Sequence, residues 1–129
     1  MKYRVWDKKE KQFIENVFVM PNGRLLMFTN YHSFNSEWDF IDDEGRYIIL
    51  ECSGFKDKNG KYIYNGDIIK YTFIKKSFFY EVEYNDSWLL SNKYENVNIS
   101  FAFKSRLEII GNIYENPELL ENIRGGLSD

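Results

Sequence analysis

What this chain has least of narrows its chemistry first. It contains one cysteine, Cys52, and one histidine, His32. A single thiol cannot close an internal disulfide, which points to a reducing compartment. One Cys and one His cannot assemble a transition-metal cluster from the preferred soft ligands, so neither a metal nor a cofactor is expected. No apolar run approaches a membrane span, and Met1 leads into the charged, alternating Lys2-Tyr3-Arg4-Val5-Trp6-Asp7 without the apolar core of a signal peptide. The expected location is therefore the cytoplasm, with no membrane partner. Seventeen Lys and Arg against 20 Asp and Glu give a net charge of -3, so there is no global positive field to attract a phosphate backbone. The chain also lacks a glycine-rich phosphate loop, a serine elbow, a zinc-protease motif, internal repeats and low-complexity segments.

What is present is aromatic. With 43% hydrophobic residues in 129, the chain can bury a core without disulfide or metal staples. Aromatics reach 19%, and such side chains favour strands and bury large areas. Short alternating segments recur between turn signals. Tyr3 to Trp6, Gln12 to Met20 and Arg24 to Thr29 read as strands, the last two joined by the turn Pro21-Asn22-Gly23. Trp38 to Ile41 reads as a fragment and Arg46 to Ser53 as a full strand. Ile68 to Phe73 and Phe78 to Tyr84 form a hairpin with Lys75-Lys76-Ser77 at its tip. Trp88 to Leu90, the alternating Ile99, Phe101 and Phe103, and Leu107 to Ile113 complete the set, with Gly111 marking a bulge or a close backbone approach. Asn116-Pro117-Glu118 reads as a capped helix start, Leu119, Leu120 and Ile123 as its apolar stripe, and Gly125 as its stop. This spacing describes a small barrel or sandwich with one short C-terminal helix.

The stretch Gly54 to Ile69 organises the rest. Two turn signals, Lys58-Asn59-Gly60 and Asn65-Gly66-Asp67, leave only a short strand between them. Asp57, Asn59 and Gly60 fall at the third, fifth and sixth positions of a calcium loop. That register, however, puts Phe55 at the first ligand position and Gly66 at the twelfth, where carboxylates are required. A tight turn with Gly60 at positive φ is the better reading. Asp67 is read as accepting hydrogen bonds from turn amides.

Three segments carry a family resemblance: Val5-Trp6-Asp7, Gly54 through Ile68, and Ile109-Ile110-Gly111-Asn112-Ile113-Tyr114-Glu115-Asn116-Pro117-Glu118-Leu119. They resemble, in order and over nearly the whole chain, the YopX-like family of phage and prophage proteins. The chain departs from that pattern at Cys52-Ser53, which replace an aromatic and a threonine, and in the variable region Asn30 to Asp42. The resemblance implies an SH3-like β-barrel over residues 46–114, preceded by an N-terminal β segment with a loop over 1–45; with the helix and tail read over 115–129, this mainly β chain is expected to form one compact unit. It implies a phage or prophage origin and brings no established activity or catalytic residues.

The chemistry therefore has to be weighed residue by residue. Cys52 shares a strand face with Ile48 and Leu50 and reads as a buried, inert thiol, while His32 lies in a polar loop. Asp39, Asp42, Asp43 and Glu44 form a dense acidic group that reads as a solvated turn. No enzyme is expected. The expected function is a non-enzymatic accessory protein that binds a protein partner or its own copies. The alternative is nucleic-acid binding through Lys56, Lys58, Lys61, Tyr62, Tyr64, Tyr71, Lys75, Lys76 and Phe79, if the two hairpins that carry them face one way.

Overall fold

The computed structural model describes residues 2–29, 37–41 and 45–125. The chain divides into two compact units, Lys2–Leu50 and Glu51 onward, with the boundary inside a strand.

The first unit holds β1 (Tyr3–Asp7), β2 (Gln12–Ile14), β3 (Val17–Val19), β4 (Leu25–Thr29), β5 (Glu37–Ile41) and the opening residues of β6 (Tyr47–Lys56). β1 lies between β2 and β6, and β4 lies between β3 and β5. The single strand expected over Gln12 to Met20 is two. Asn16 takes φ 57°, a left-handed conformation that Asn tolerates better than most residues, and the chain changes partner there. β2 returns to β1, whereas β3 pairs with β4 across the expected Pro21-Asn22-Gly23 turn. At the end of β1 the buried Asp7 carboxylate accepts two parallel bonds from the Arg46 guanidinium, each 2.8 Å. That grip outweighs the opposing effect of burial and, with the Glu10 and Lys9 amides, lowers the carboxyl to about 2.

The second unit holds the end of β6, then β7 (Tyr62–Tyr64), β8 (Asp67–Phe73), β9 (Lys76–Tyr84), β10 (Trp88–Ser91), β11 (Asn96–Asn98), β12 (Leu107–Asn112) and the helix α1 (Leu120–Arg124). Five of these strands form an antiparallel sheet in the order β11-β10-β9-β8-β12, curled into half a barrel. Alternation sets its faces. Ile69, Tyr80, Val82, Leu90 and Leu107 are buried on the inner face, with Ile63 of β7 and Ile99 completing the core. Burying an aliphatic side chain of this size contributes about 1.5–3 kcal/mol. Ile68 and Glu81 point to the outer face, where Arg124 holds Glu81 through bonds of 2.6 and 2.8 Å and so fastens α1 to β9.

The register slips between Ile109 and Gly111, the expected bulge. A Cβ on Gly111 would lie 2.5 Å from Asn116 Oδ1, so the bulge and the close approach are one feature. That oxygen accepts the Asn112 amide at 3.1 Å and makes no helix cap. The helix begins instead as a 3-10 turn over Pro117–Leu119 and ends at Gly125.

The strand expected through Ile99, Phe101 and Phe103 does not form. The chain leaves β11 at Asn98 and makes two 3-10 turns, Ile99–Phe101 and Lys104–Arg106. Asn98 Oδ1 accepts the Ser100 amide at 3.0 Å and its hydroxyl at 2.7 Å, local bonds that compete with a sheet ladder.

Candidate functional site

The two turns between β6 and β8 direct their polar groups inward. Asp57 is fully buried, and its carboxylate accepts the amides of Asn59 and Lys61 at 2.9 Å and of Ile109 at 3.1 Å. Burial alone would raise its pKa, but the three amides win and hold the carboxyl below the usual carboxylate range. A second bond, from the Lys58 amide to the Leu107 carbonyl at 2.8 Å, also docks this turn on β12. At the next turn Asp67, also buried, accepts the Tyr64 amide at 2.8 Å. Gly66 donates to Val82 and accepts from Ile113, with φ at 90°. A Cβ there would meet Tyr114 Cε2 at 3.0 Å. Gly60 takes positive φ as expected. Both carboxylates serve the turns, each accepting from backbone donors.

The opposite character appears where the β8–β9 hairpin ends beside the two 3-10 turns. Ile99 and Leu107 are buried and pin that segment at both ends, while Phe101 and Phe103 between them are 80% and 64% exposed. Phe73 and Phe78, 43% and 41% exposed, lie on the inner face of the hairpin together with Lys76, which pairs with Phe73. Arg106 joins the two segments. Its guanidinium lies 4.8 Å from the Phe73 ring centroid and 5.8 Å from that of Phe103, and it donates to the Thr72 carbonyl at 3.3 Å. The hairpin turn places Ile74 and Lys75 at φ 45° and 63°, with Ile74 74% exposed. A β-branched residue at positive φ is strained, and such strain gathers at functional positions. Residues 71–78 and 99–107 carry Lys75, Lys76, Lys104 and Arg106 and no carboxylate, in a chain of net charge -3.

A cavity of about 160 Å³ opens on the inner face among Tyr71, Tyr80, Glu95 and Phe101. Burial and the 2.7 Å bond to Glu95 push the Tyr80 hydroxyl up, so it stays protonated. A second cavity, of about 290 Å³, lies on the outer face between Phe79, Ile110 and Leu119. Both are smaller than the roughly 300–1,000 Å³ of ordinary small-ligand sites. Among the described residues, no group of three His, Cys, Asp or Glu could hold a metal ion.

A family model described as YopX protein matches residues 2–121. The chain belongs to the YopX family. The SPbeta prophage-derived uncharacterized protein YopX of Bacillus subtilis (strain 168) is 28% identical to it over 134 residues, covering 95% of this chain and 97% of the relative. The crystal structure of YopX from Bacillus subtilis superposes with a TM-score of 0.65 at 27% identity, covering 95% and 97% of the two chains. The crystal structure of protein EF1440 from Enterococcus faecalis gives 0.61 at 28% identity, covering 93% and 97%. The likeness to these YopX proteins thus extends along nearly the whole chain.

In this YopX-family chain the binding residues expected from sequence fall in three places. Lys56, Lys58, Lys61 and Tyr62 surround the first turn. Lys56 Nζ sits 4.8 Å over the Tyr62 ring, and Lys58 pairs with Glu108 at 3.6 Å. Tyr62 and Tyr64 are half-buried on β7. Lys75 and Lys76 are at the β8–β9 tip, as expected, although the turn itself is Ile74-Lys75. Phe79 is on the outer face, turned away from Lys76. Sequence reasoning missed Phe101, Phe103, Lys104 and Arg106. The available signal was Asn98 followed by Ser100, a local capping pair at the point where the alternation looks strand-like. Cys52 is half-buried, not buried as expected, and Gly54 donates its amide to the sulfur at 3.4 Å. His32 and the acidic residues Asp42, Asp43 and Glu44 lie outside the described residues, as does the side chain of Asp39.

Proposed function

We propose that this protein is a non-enzymatic prophage accessory protein of the host cytoplasm that acts by binding, through the end built from residues 71–78 and 99–107. The observation that carries this reading is the joining of two exposed aromatic segments by Arg106, with four cations and no carboxylate between them. The buried Asp57 and Asp67 serve turn amides, which supports a framework role for both rather than acid and base work. In this reading the curled sheet serves as small SH3-like barrels do, presenting aromatics from one face. Among the described residues no helix is long and apolar enough to cross a membrane. A protein partner or a second copy is the bland occupant of an aromatic surface, but the grouped cations favour an anionic one.

The test immobilises the wild-type chain and a Lys76→Glu/Lys104→Glu variant and passes bacterial host extract over each, with and without nuclease. The wild type is expected to retain macromolecular material that the variant does not. Equal retention by both, with or without nuclease, overturns binding through this end.

A further inference from the structure

We propose that the occupant of this end is single-stranded nucleic acid, with bases stacked on Phe101 and Phe103 and phosphates held by Lys75, Lys76, Lys104 and Arg106. This rests on the binding reading above and adds the class of ligand. Every base has a free π-face in a single strand, and stacking on an exposed aromatic is sequence-tolerant. A duplex offers phosphates but keeps its base faces stacked, so Phe101 and Phe103 would stay in water. A second copy is disfavoured by charge. Twofold self-association through this end would bring four cations against the same four cations, with no carboxylate in either segment to pair with them. Of the neighbouring carboxylates, Glu108 faces Lys58 at 3.6 Å and Glu95 takes the Tyr80 hydroxyl at 2.7 Å.

The geometry suits a flexible polymer better than a compact ligand. The inner-face cavity, about 160 Å³, is too small for most enclosed small molecules but opens directly beside Phe101. Arg106 is held by the Thr72 carbonyl and by stacking on Phe73, so it presents a positioned cation, while Lys75, Lys76 and Lys104 are exposed point charges on four-carbon stems that can follow a backbone.

Anisotropy of fluorescein-labelled oligothymidine and oligouridine of about 12 nucleotides, and of a duplex of the same length, tests the proposal at low salt. The wild type is expected to bind the single strands more tightly than the duplex, and log K is expected to fall by about 0.7 per log unit of salt for each phosphate engaged. Phe103→Ala is expected to weaken binding roughly 5- to 100-fold, the loss of one stacked base. Lys76→Glu/Lys104→Glu should weaken it and reduce the salt slope by about 1.4. Phe79→Ala on the outer face is expected to leave affinity unchanged. Absence of salt-sensitive binding to single strands overturns the proposal, as does tighter binding to duplex or an unaffected Phe103→Ala. If single strands fail but the lysine variant still loses nuclease-resistant material from host extract, the binding reading stands and its partner is a protein.

Discussion

The turns within Gly54–Ile69 and the end built from residues 71–78 and 99–107 belong to one unit and use their side chains in opposite ways. At the turns, Asp57 gives its oxygens to three amides and Asp67 accepts the Tyr64 amide, and both are buried. In residues 71–78 and 99–107 four phenyl rings and three lysines are exposed, and the hairpin turn is strained. The part of the chain that is most conspicuous as a motif is thus architecture. The part that looks like ordinary strand in sequence is the surface with groups to spare.

That division can be broken first at Asp57. Asp57→Ala strands three amides at a buried position and unfastens the turn from β12, and urea unfolding is expected to show a loss of about 3 kcal/mol. Gly66→Ala forces a side chain into positive φ against Tyr114, with an expected loss of about 2 kcal/mol by the same measurement. The first unit supplies a pH-dependent counterpart in Asp7. Its pKa is depressed from 3.8 to about 2, so its stabilisation is complete above the unfolded value and is lost as pH falls through about 4 towards about 2. Acid unfolding of Asp7→Asn should lack that component, which amounts to about 2 kcal/mol.

At the hairpin tip the expected sign reverses. Ile74→Asn/Lys75→Gly relieves two residues at positive φ and should raise stability by about 1 kcal/mol, read from the urea midpoint. The same change removes one cation and is expected to lower the salt slope of oligonucleotide binding by about 0.7. The stabilised variant would then be the weaker binder, the usual consequence of relaxing a strained functional turn.

What could be read from sequence was what local chemistry dictates. The turns at Asn59-Gly60 and Asn65-Gly66, the bulge at Gly111 and the helix stop at Gly125 depend on φ preferences and short-range hydrogen bonds, and the structure has them all. The break at Asn16 and the loss of the strand at Ile99 were hidden because alternation persisted where the backbone did not stay extended. The dispersal of the expected binding set has a different cause. Alternation tells which residues share the face of one strand, as Phe78 and Tyr80 do, but not which segment lies beside it. Arg106 meets Phe73 only because β12 pairs with β8 and draws the preceding 3-10 turn alongside.

The most direct test of the separation between framework and binding surface is Phe103→Ala, with stability and affinity measured on the same preparation. Phe103 is largely exposed, so the urea midpoint is expected to correspond to a change within about 0.5 kcal/mol, while affinity for single-stranded oligothymidine falls roughly 5- to 100-fold. A variant that binds as well as the wild type, or one that loses affinity only because it loses stability, contradicts the account.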